Sequence, residues 1–288
     1  MIGYPRVIRL KGKEGGKTLL ITAGMDGDEY AGISAAYRLI EEFSHTPFRG
    51  SITIVPIVNM PGFVAQTSEN PEDGKFPKCI FPGKKNGTPT EQLCWWVSDL
   101  ARVSDFWLDM HGGALTEILN PFVGSWVSGN KVIDELIIKV ISSISCKYAS
   151  FENMPAVSKT KLLAKMGCGY LLAESGELGK CERQDVDRHI GWAREVMGAL
   201  EMLDQKMSDH KKVVFDKVCE YSIRHDGLWY ANYSVCREMK KGELLGEVKS
   251  QTEKILERIT VKENGMLLWA KVGLSVRRGD VVAGVGYA

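Results

Sequence analysis

Residues 18–29 have the sequence Thr-Leu-Leu-Ile-Thr-Ala-Gly-Met-Asp-Gly-Asp-Glu, and this stretch decides the fold class. Its first six residues form a continuous apolar run with β-branched members, which is typical of a buried parallel strand. Gly24 ends the run, and residues 30–43 then carry apolar side chains at helical spacing. A buried strand that passes through a glycine turn into a helix predicts an α/β domain with a mainly parallel sheet.

The same alternation continues downstream. Further strands are predicted at residues 52–58, 106–110, 122–127 and 169–173, and further helices at residues 91–103, 132–144 and 182–206, the first of these helices capped by Thr90. The long irregular stretch 60–89 is of a length that is more often functional than incidental. After about residue 210, short β-type segments alternate with glycine turns. We therefore predict an α/β domain over residues 1–209 and a small all-β domain over residues 210–288.

The composition of the chain bears on its binding partners and on its cellular compartment. The chain of 288 residues has 37 Lys and Arg against 36 Asp and Glu, a balance that argues against a nucleic-acid partner. Its seven cysteines include no C-x-x-C pair, so neither a disulfide framework nor a zinc knuckle is indicated. No signal-peptide pattern and no apolar stretch of membrane length occurs. We expect a cytoplasmic protein without a membrane partner, and a homo-oligomer stays open.

Acidic and imidazole side chains follow two of the predicted strands at the point where each strand ends. Asp26 and Glu29 follow the first strand, and His111 follows the strand at residues 106–110. Because ligands bind at the carboxyl ends of strands in open α/β sheets, these side chains can meet at one point. One histidine and two carboxylates form a ligand set for a catalytic metal ion. Two alternatives stay open here: acidic residues also favour a helix N-terminus, and a buried histidine can serve packing alone.

Five segments, in the same order, resemble motifs of the succinylglutamate desuccinylase/aspartoacylase family of zinc carboxypeptidase-like hydrolases. Residues 24–30 resemble its G-x-H-G-x-E motif, 54–59 the strand before its substrate loop, 71–83 its P-x-D-G-x-x-x-N-R-x-F-P-G loop, 108–113 its D-x-H-G segment and 174–176 its catalytic glutamate segment. The resemblance implies a mixed, mainly parallel carboxypeptidase-like sheet flanked by helices. It also implies a barrel-like C-terminal β domain.

The resemblance assigns roles to single residues. Asp26, Glu29 and His111 fall on the metal ligands, with one Zn²⁺ per chain implied and Mn²⁺ or another divalent ion as the alternative. Glu174 falls on the general base that takes a proton from a metal-activated water. Asp109 either orients His111 or only ends its strand. The implied activity is hydrolysis of an amide bond in a small N-acyl amino acid. The alternative is a member of the family that binds metal or ligand with impaired catalysis.

The sequence departs from the family motifs at three places. Asp26 replaces the first histidine ligand, which lowers the charge of a divalent site by one. Lys78 and Cys79 replace the Asn-Arg pair of the loop, and an upstream arginine is replaced near Ser68. No clear replacement for the oxyanion-stabilising arginine is found. We expect a small-molecule substrate with a carboxylate that binds Lys78 or, as a weaker choice, Lys75. The alternative for both is an exposed loop lysine.

Overall fold

The computed structural model describes residues 5–153, 159–205 and 210–288. Its α-helices are α1 (Tyr30–His45), α2 (Met60–Ala65), α3 (Pro89–Arg102), α4 (Lys131–Ser143), α5 (Lys159–Lys165) and α6 (Arg183–Ala199). A 3₁₀ turn covers Pro77–Cys79 in the long loop. The four predicted helices correspond to α1, α3, α4 and α6, and α6 ends earlier than predicted. Within the described part of the chain, none of the helices combines the length and apolar character that crossing a bilayer requires.

A mixed eight-stranded sheet forms the centre of the first part of the molecule. Its strands are β1 (Ile8–Lys11), β2 (Glu14–Ala23), β3 (Arg49–Val55), β4 (Phe106–His111), β6 (Phe122–Trp126), β7 (Tyr148–Glu152), β8 (Gly169–Glu174) and β9 (Val213–Phe215), while β5 (Glu117–Leu119) lies outside it. The strand order is β1-β3-β2-β4-β8-β6-β7-β9. Strands β3, β2, β4 and β8 are parallel neighbours, and β1 and β6 pair antiparallel with them. The predicted mixed, mainly parallel α/β sheet is confirmed.

Successive side chains of the central strands enter two different cores because a strand points its residues alternately to opposite faces. Leu19 and Ile21 of β2 pack with α1, α4 and α6 on one face. Leu20, between them, packs on the other face with Val97 of α3 and Leu163 of α5. All three β2 side chains are completely buried. The sheet is therefore covered by helices on both faces, which is why its strands are apolar without alternation.

Helix α3 begins earlier than predicted. Its N-cap is Thr88, and the backbone N–H of Thr88 donates to Glu91 Oε2 at 2.9 Å. Thr90, the predicted cap, lies inside the first turn and donates its hydroxyl to Asp73 Oδ1. The prediction of Thr90 was wrong because Pro89 is well suited to the first helical position and so places the cap one residue before itself.

The C-terminal part consists of two antiparallel sheets. Its strands are β10 (Lys217–Ser222), β11 (Gly227–Ala231), β12 (Glu238–Met239), β13 (Leu244–Lys249), β14 (Ile255–Thr260), β15 (Gly265–Lys271), β16 (Ser275–Val276) and β17 (Val281–Tyr287). One sheet has the order β10-β17-β15-β12 and the other β14-β13-β11-β16. Both contribute to a second core, which includes Trp229, Leu245 and Leu267. The predicted C-terminal β region is thus present.

Strands cross the predicted boundary between the domains in both directions. β9, which follows residue 210, pairs with β7 and completes the large sheet. β5, from the first part, pairs with β15 in the C-terminal sheet, and its Ile118 enters the second core. Residues 206–209, at the predicted boundary, lie outside the described residues. The division after residue 209 stays a prediction, and the pairing shows that the two parts interlock.

Candidate metal centre and active site

The candidate site lies at the carboxyl ends of the neighbouring parallel strands β2, β4 and β8. Asp26 and Glu29 follow β2 in the turn before α1, whereas His111 and Glu174 are the last residues of β4 and β8. His111 and Glu174 are register partners. Asp26, Glu29 and His111 are all buried. The structure therefore brings the predicted ligands and the predicted base to the same edge of the sheet, where such sheets bind ligands.

The turn that carries Asp26 and Glu29 is held closely against α2. A Cβ atom at Gly27 would lie 2.2 Å from the backbone carbon of Gly62, a distance that the backbone cannot accommodate without moving. The N–H of Gly27 also donates to the carbonyl of Thr67 at 3.2 Å. Only a glycine allows this approach, and the approach fixes the direction of the two acidic side chains.

The three candidate ligands form a compact cluster. One ligand atom from each of Asp26, Glu29 and His111 lies within 4.8 Å of the other two. His111 Nδ1 lies 2.9 Å from Glu29 Oε2 and 3.8 Å from Asp26 Oδ2. Glu29 Oε2 also accepts a hydrogen bond from the N–H of Gly112 at 3.1 Å. The imidazole nitrogen and the two carboxylates thus face one common point.

The electrostatics of this cluster favour an added positive charge. Burial raises the pKa of the Glu29 carboxyl well above its usual value, and the Asp26 carboxylate raises it further. Burial alone would lower the pKa of His111, but the carboxylates of Asp109 and Glu29 outweigh it and raise that pKa well above its usual value. A buried group of negative charges is costly unless cations compensate it.

The donor set fits a divalent cation. An imidazole nitrogen and two carboxylate oxygens are ligands that zinc accepts, and these atoms already lie close together. Asp26 Oδ1 is buried and has no hydrogen-bond partner among the described residues. Because an unpaired buried carboxylate oxygen costs free energy, this atom supports a ligand role for Asp26.

Asp109 lies behind the cluster, and both of its carboxylate oxygens accept hydrogen bonds. Its Oδ1 accepts a hydrogen bond from the hydroxyl of Thr22 at 2.6 Å, and its Oδ2 accepts one from the hydroxyl of Tyr170 at 2.9 Å. Lys159 Nζ and His111 Nε2 lie 3.2 Å and 3.3 Å from the same Oδ2. Burial opposes the charge of Asp109, but Lys159 and His111 hold its pKa well below its usual value. Asp109 is therefore a buried anion beside the His111 imidazole, whose Nε2 has no hydrogen-bond partner among the described residues; a role in orienting His111 stays a prediction.

Lys159 is a residue of this site that the sequence did not reveal. Its Nζ lies 4.8 Å, 4.9 Å and 4.3 Å from the ring centroids of Phe81, Trp107 and Tyr170, within cation–π range. It also donates to the hydroxyl of Tyr170 at 2.7 Å. Helix α5 has the sequence Lys-Thr-Lys-Leu-Leu-Ala-Lys. Nothing in that sequence separates Lys159 from the lysines of an exposed helix face.

Glu174 has the properties of a proton-transfer group. Burial raises its pKa to about 7, and the neighbouring His111 opposes part of that shift. Its Oε2 atom is buried and has no hydrogen-bond partner among the described residues. A carboxyl group with a pKa near neutrality can both accept and release a proton during a reaction. Glu174 therefore lies beside the cluster and has a pKa suited to proton transfer.

A cavity of about 620 Å³ opens in front of these residues. Glu29, His111 and Glu174 line its inner wall. The C-terminal part contributes Glu220 and Trp269 to the same cavity. A volume of this size suits a small organic molecule. The C-terminal part therefore forms a portion of the cavity wall.

Comparison with known proteins assigns the chain to a family. The sequence model of the succinylglutamate desuccinylase/aspartoacylase catalytic domain matches residues 15–197, more than half of the chain. The chain belongs to this family. An N-alpha-acetyl-L-2,4-diaminobutyric acid deacetylase from Halomonas elongata is 25% identical over 280 residues, which cover 93% of this chain and 81% of the relative.

Several solved structures share the fold of this chain. A succinylglutamate desuccinylase from Silicibacter sp. TM1040 superimposes with a TM-score of 0.84 at 23% identity, covering 98% of this chain and 89% of that one. The product-bound ectoine utilization protein EutE from Ruegeria pomeroyi gives a TM-score of 0.82 at 23% identity, with 98% and 88% covered. At this identity the likeness concerns the fold, including the C-terminal β region.

The departures from the desuccinylase/aspartoacylase motifs can now be placed in space. Lys78, from the long loop, contacts Asp26, with 2.5 Å between Nζ and Oδ2, although 45% of its side chain is exposed. Burial opposes its charge, but the carboxylates of Asp26 and Glu29 raise its pKa well above the usual value. Cys79 lines the cavity, and burial raises the pKa of its thiol. A thiol with a raised pKa is a poor nucleophile.

Two other predicted positions lie away from the cluster. Lys75 Nζ donates to the hydroxyl of Thr88 at 3.0 Å and lies 3.6 Å from Glu91 Oε1, at the start of α3. Lys75 is not among the residues that line the cavity. Ser68, near the replaced family arginine, donates to Asp28 Oδ1 at 2.7 Å. Of the two predicted substrate lysines, the structure thus brings only Lys78 to the site.

Proposed function

We propose that this chain is a metal-dependent hydrolase that cleaves an amide bond in a small N-acyl amino acid. The observation that carries the proposal is the cluster of Asp26, Glu29 and His111 beside Glu174 at one cavity. A divalent ion held by those three residues, Zn²⁺ first and Mn²⁺ as the alternative, would supply Lewis acidity and positive charge.

In this mechanism Glu174 carries out both proton transfers. Glu174 takes a proton from water as the water oxygen bonds to the amide carbon. It then passes this proton to the nitrogen as the carbon–nitrogen bond breaks, which releases an amine and the carboxylic acid of the acyl group; the acid then loses its proton to the solvent. The Glu174 pKa of about 7 suits both steps. Asp109 holds the ring of His111 in place throughout.

The substrate class rests on the relatives and on the cations of the cavity. The Halomonas elongata relative is a deacetylase of an N-acyl amino acid, and such a substrate carries a carboxylate beside the scissile amide. Lys78 and Lys159 line the cavity, and within the described residues no arginine does. We assign the carboxylate to Lys78, whose flexible stem presents a point charge rather than the fork of an arginine.

A second candidate is a family member that binds metal or ligand with impaired catalysis. One observation favours it: the ammonium of Lys78 already neutralises the Asp26 carboxylate within the ligand cluster. The absence of an arginine among the described cavity residues points the same way, because loss of one oxyanion donor typically costs about 10²–10³ in rate.

Replacement of Glu174 separates the two candidates. The purified chain is loaded with Zn²⁺ or Mn²⁺ and assayed for amine release from a panel of N-acetyl and N-succinyl amino acids. We expect Glu174→Gln to lower turnover by about 10²–10⁴ while the bound metal per chain stays unchanged. Glu135→Gln, on the exposed surface of α4, is the matched control and should keep full activity. Activity that survives Glu174→Gln would contradict the mechanism, and no activity on any substrate would favour the second candidate.

A further inference from the structure

Two positions at which the chain departs from the family motifs lie in direct contact. Asp26 stands where the first motif has a histidine, and Lys78 stands where the loop motif has an asparagine. The two residues are 52 positions apart in the sequence, yet Lys78 Nζ lies 2.5 Å from Asp26 Oδ2. Two departures that are separate in the sequence are therefore one feature of the fold.

The charges of this contact cancel. A divalent ion with one carboxylate and two neutral imidazoles has a net charge of 2 − 1 = +1, whereas Asp26 in place of one imidazole brings it to zero. The ammonium of Lys78 returns the total to +1. The Asp26 side chain is 0% exposed and the Lys78 side chain 45% exposed, so water screens this pair less than it screens an ion pair on the open surface. A positive centre is what activates water and polarises a carbonyl, so the returned charge has a chemical consequence.

Asp26 has an oxygen for each of two partners. Its Oδ2 contacts Lys78 and is also the oxygen that lies 3.8 Å from His111 Nδ1, while its Oδ1 is buried and has no hydrogen-bond partner among the described residues. The pairing with Lys78 therefore leaves one carboxylate oxygen free to bind an ion. It also restrains the rotation of the carboxylate, because a charge-assisted hydrogen bond holds one of its two oxygens.

We propose that Lys78, besides binding the substrate carboxylate, is a positioning residue that acts through Asp26: it restrains the carboxylate through Oδ2 while Oδ1 keeps no competing hydrogen bond, and it restores the positive charge that Asp26 removes. This inference rests on the proposed metal centre and names the feature that lets an aspartate serve there. Lys78 and Asp26 then work as one unit, so the effect of replacing Lys78 should depend on which residue stands at position 26.

A double-mutant cycle on Zn²⁺ affinity tests this unit. The variants are Lys78→Met, Asp26→His and both together, and the dissociation constant is measured by competition with a chelating dye, without substrate. In the unaltered background, Lys78→Met removes a like charge beside the ion and also releases Asp26, two effects of opposite sign. In the Asp26→His background only the removal of the like charge remains.

We expect the two backgrounds to respond differently. Lys78→Met should tighten Zn²⁺ binding by about tenfold in the Asp26→His background and change it by less than about threefold in the unaltered background. An equal change in both backgrounds would show that the residues act independently and would overturn the proposal. A change that is larger in the unaltered background would also overturn it, because Lys78 would then compete with the ion for Asp26.

A metal-free measurement guards against misfolding of the histidine variant. Asp26→Asn keeps the side-chain size, and thermal unfolding is followed in chelator. When Asp26 is present, Lys78→Met should lower Tm. In a protein that already carries Asp26→Asn, Lys78→Met should leave Tm equal or raise it. An equal drop of Tm in both backgrounds would contradict the pairing. Lys84→Met is the matched control, since Lys84 lies in the same loop and is 75% exposed. These readouts need no substrate, so failure of the hydrolase assay and failure of the pairing are separate results.

Discussion

At the scale of single residues, Asp109 is the buried group whose surroundings matter most for the site. It is completely buried, and its partners outside its own strand come from three elements: Thr22 from β2, Tyr170 from β8 and Lys159 from α5. Only Lys159 among these three brings a positive charge. Its removal would leave Asp109 and the two carboxylates of the ligand cluster with less compensation.

Lys159→Met tests that role. We expect the free energy of unfolding to fall by about 2 kcal/mol, since a buried carboxylate loses a charged partner. Chemical denaturation of the metal-free protein measures it. Lys165→Met, at an exposed position of the same helix, should stay within about 0.5 kcal/mol of the unaltered chain. Equal stability of the two variants would show that Lys159 does not compensate Asp109.

The sequence identified the ligand candidates but not their surroundings. Asp26, Glu29 and His111 follow strands whose apolar runs are plain in the sequence, so their meeting point could be predicted. Lys159 and Tyr170 lie 50 and 61 positions from Asp109, and their contacts depend on how α5 and β8 pack. No local pattern encodes such a distance.

At the scale of elements, the turn between β2 and α1 is the critical one. Gly27 lies against the backbone of α2, so the direction of Asp26 and Glu29 depends on how closely two elements approach. We expect Gly27→Ala to destabilise the fold by about 1–3 kcal/mol, because the added methyl group meets backbone atoms, and to weaken metal binding as well. Thermal unfolding and dye competition measure the two effects.

The matched control for that substitution is Gly191→Ala. An added methyl group at Gly191, inside α6, meets nothing within 4 Å. We expect this variant to gain about 0.5–1 kcal/mol, since alanine is the better helix former, with metal affinity unchanged. If Gly27→Ala behaved like Gly191→Ala, the close approach of the turn to α2 would not matter to the site.

Long apolar elements were predictable, whereas short or irregular ones were not. Helices α1, α3 and α4 lie close to their predicted ranges because their apolar spacing is clear. Strands β5 and β7 were not predicted. β5 has three residues and pairs with a strand about 150 positions later, and β7 has polar residues between its apolar ones. Such strands are defined by their partners rather than by their own sequence.

At the scale of the whole molecule, the two cores are linked because each part of the chain contributes one strand to the sheet of the other part. β9 completes the large sheet and β5 extends the C-terminal one, and both parts line the cavity. We expect one calorimetric unfolding transition, with calorimetric and van't Hoff enthalpies in agreement. Ile118→Ala, which removes a β5 side chain from the second core, should lower the single Tm without splitting the transition. Two resolved transitions would show that the parts unfold separately.

The central claim is that one divalent ion is held by Asp26, Glu29 and His111. Anomalous diffraction at the absorption edge of zinc, from crystals grown with Zn²⁺, tests it most directly. The account predicts one peak at about 2.0–2.2 Å from a carboxylate oxygen of each acidic residue and from the imidazole nitrogen of His111, with Lys78 still on the other oxygen of Asp26. A peak elsewhere, or none with Lys78 filling the cluster, would contradict it.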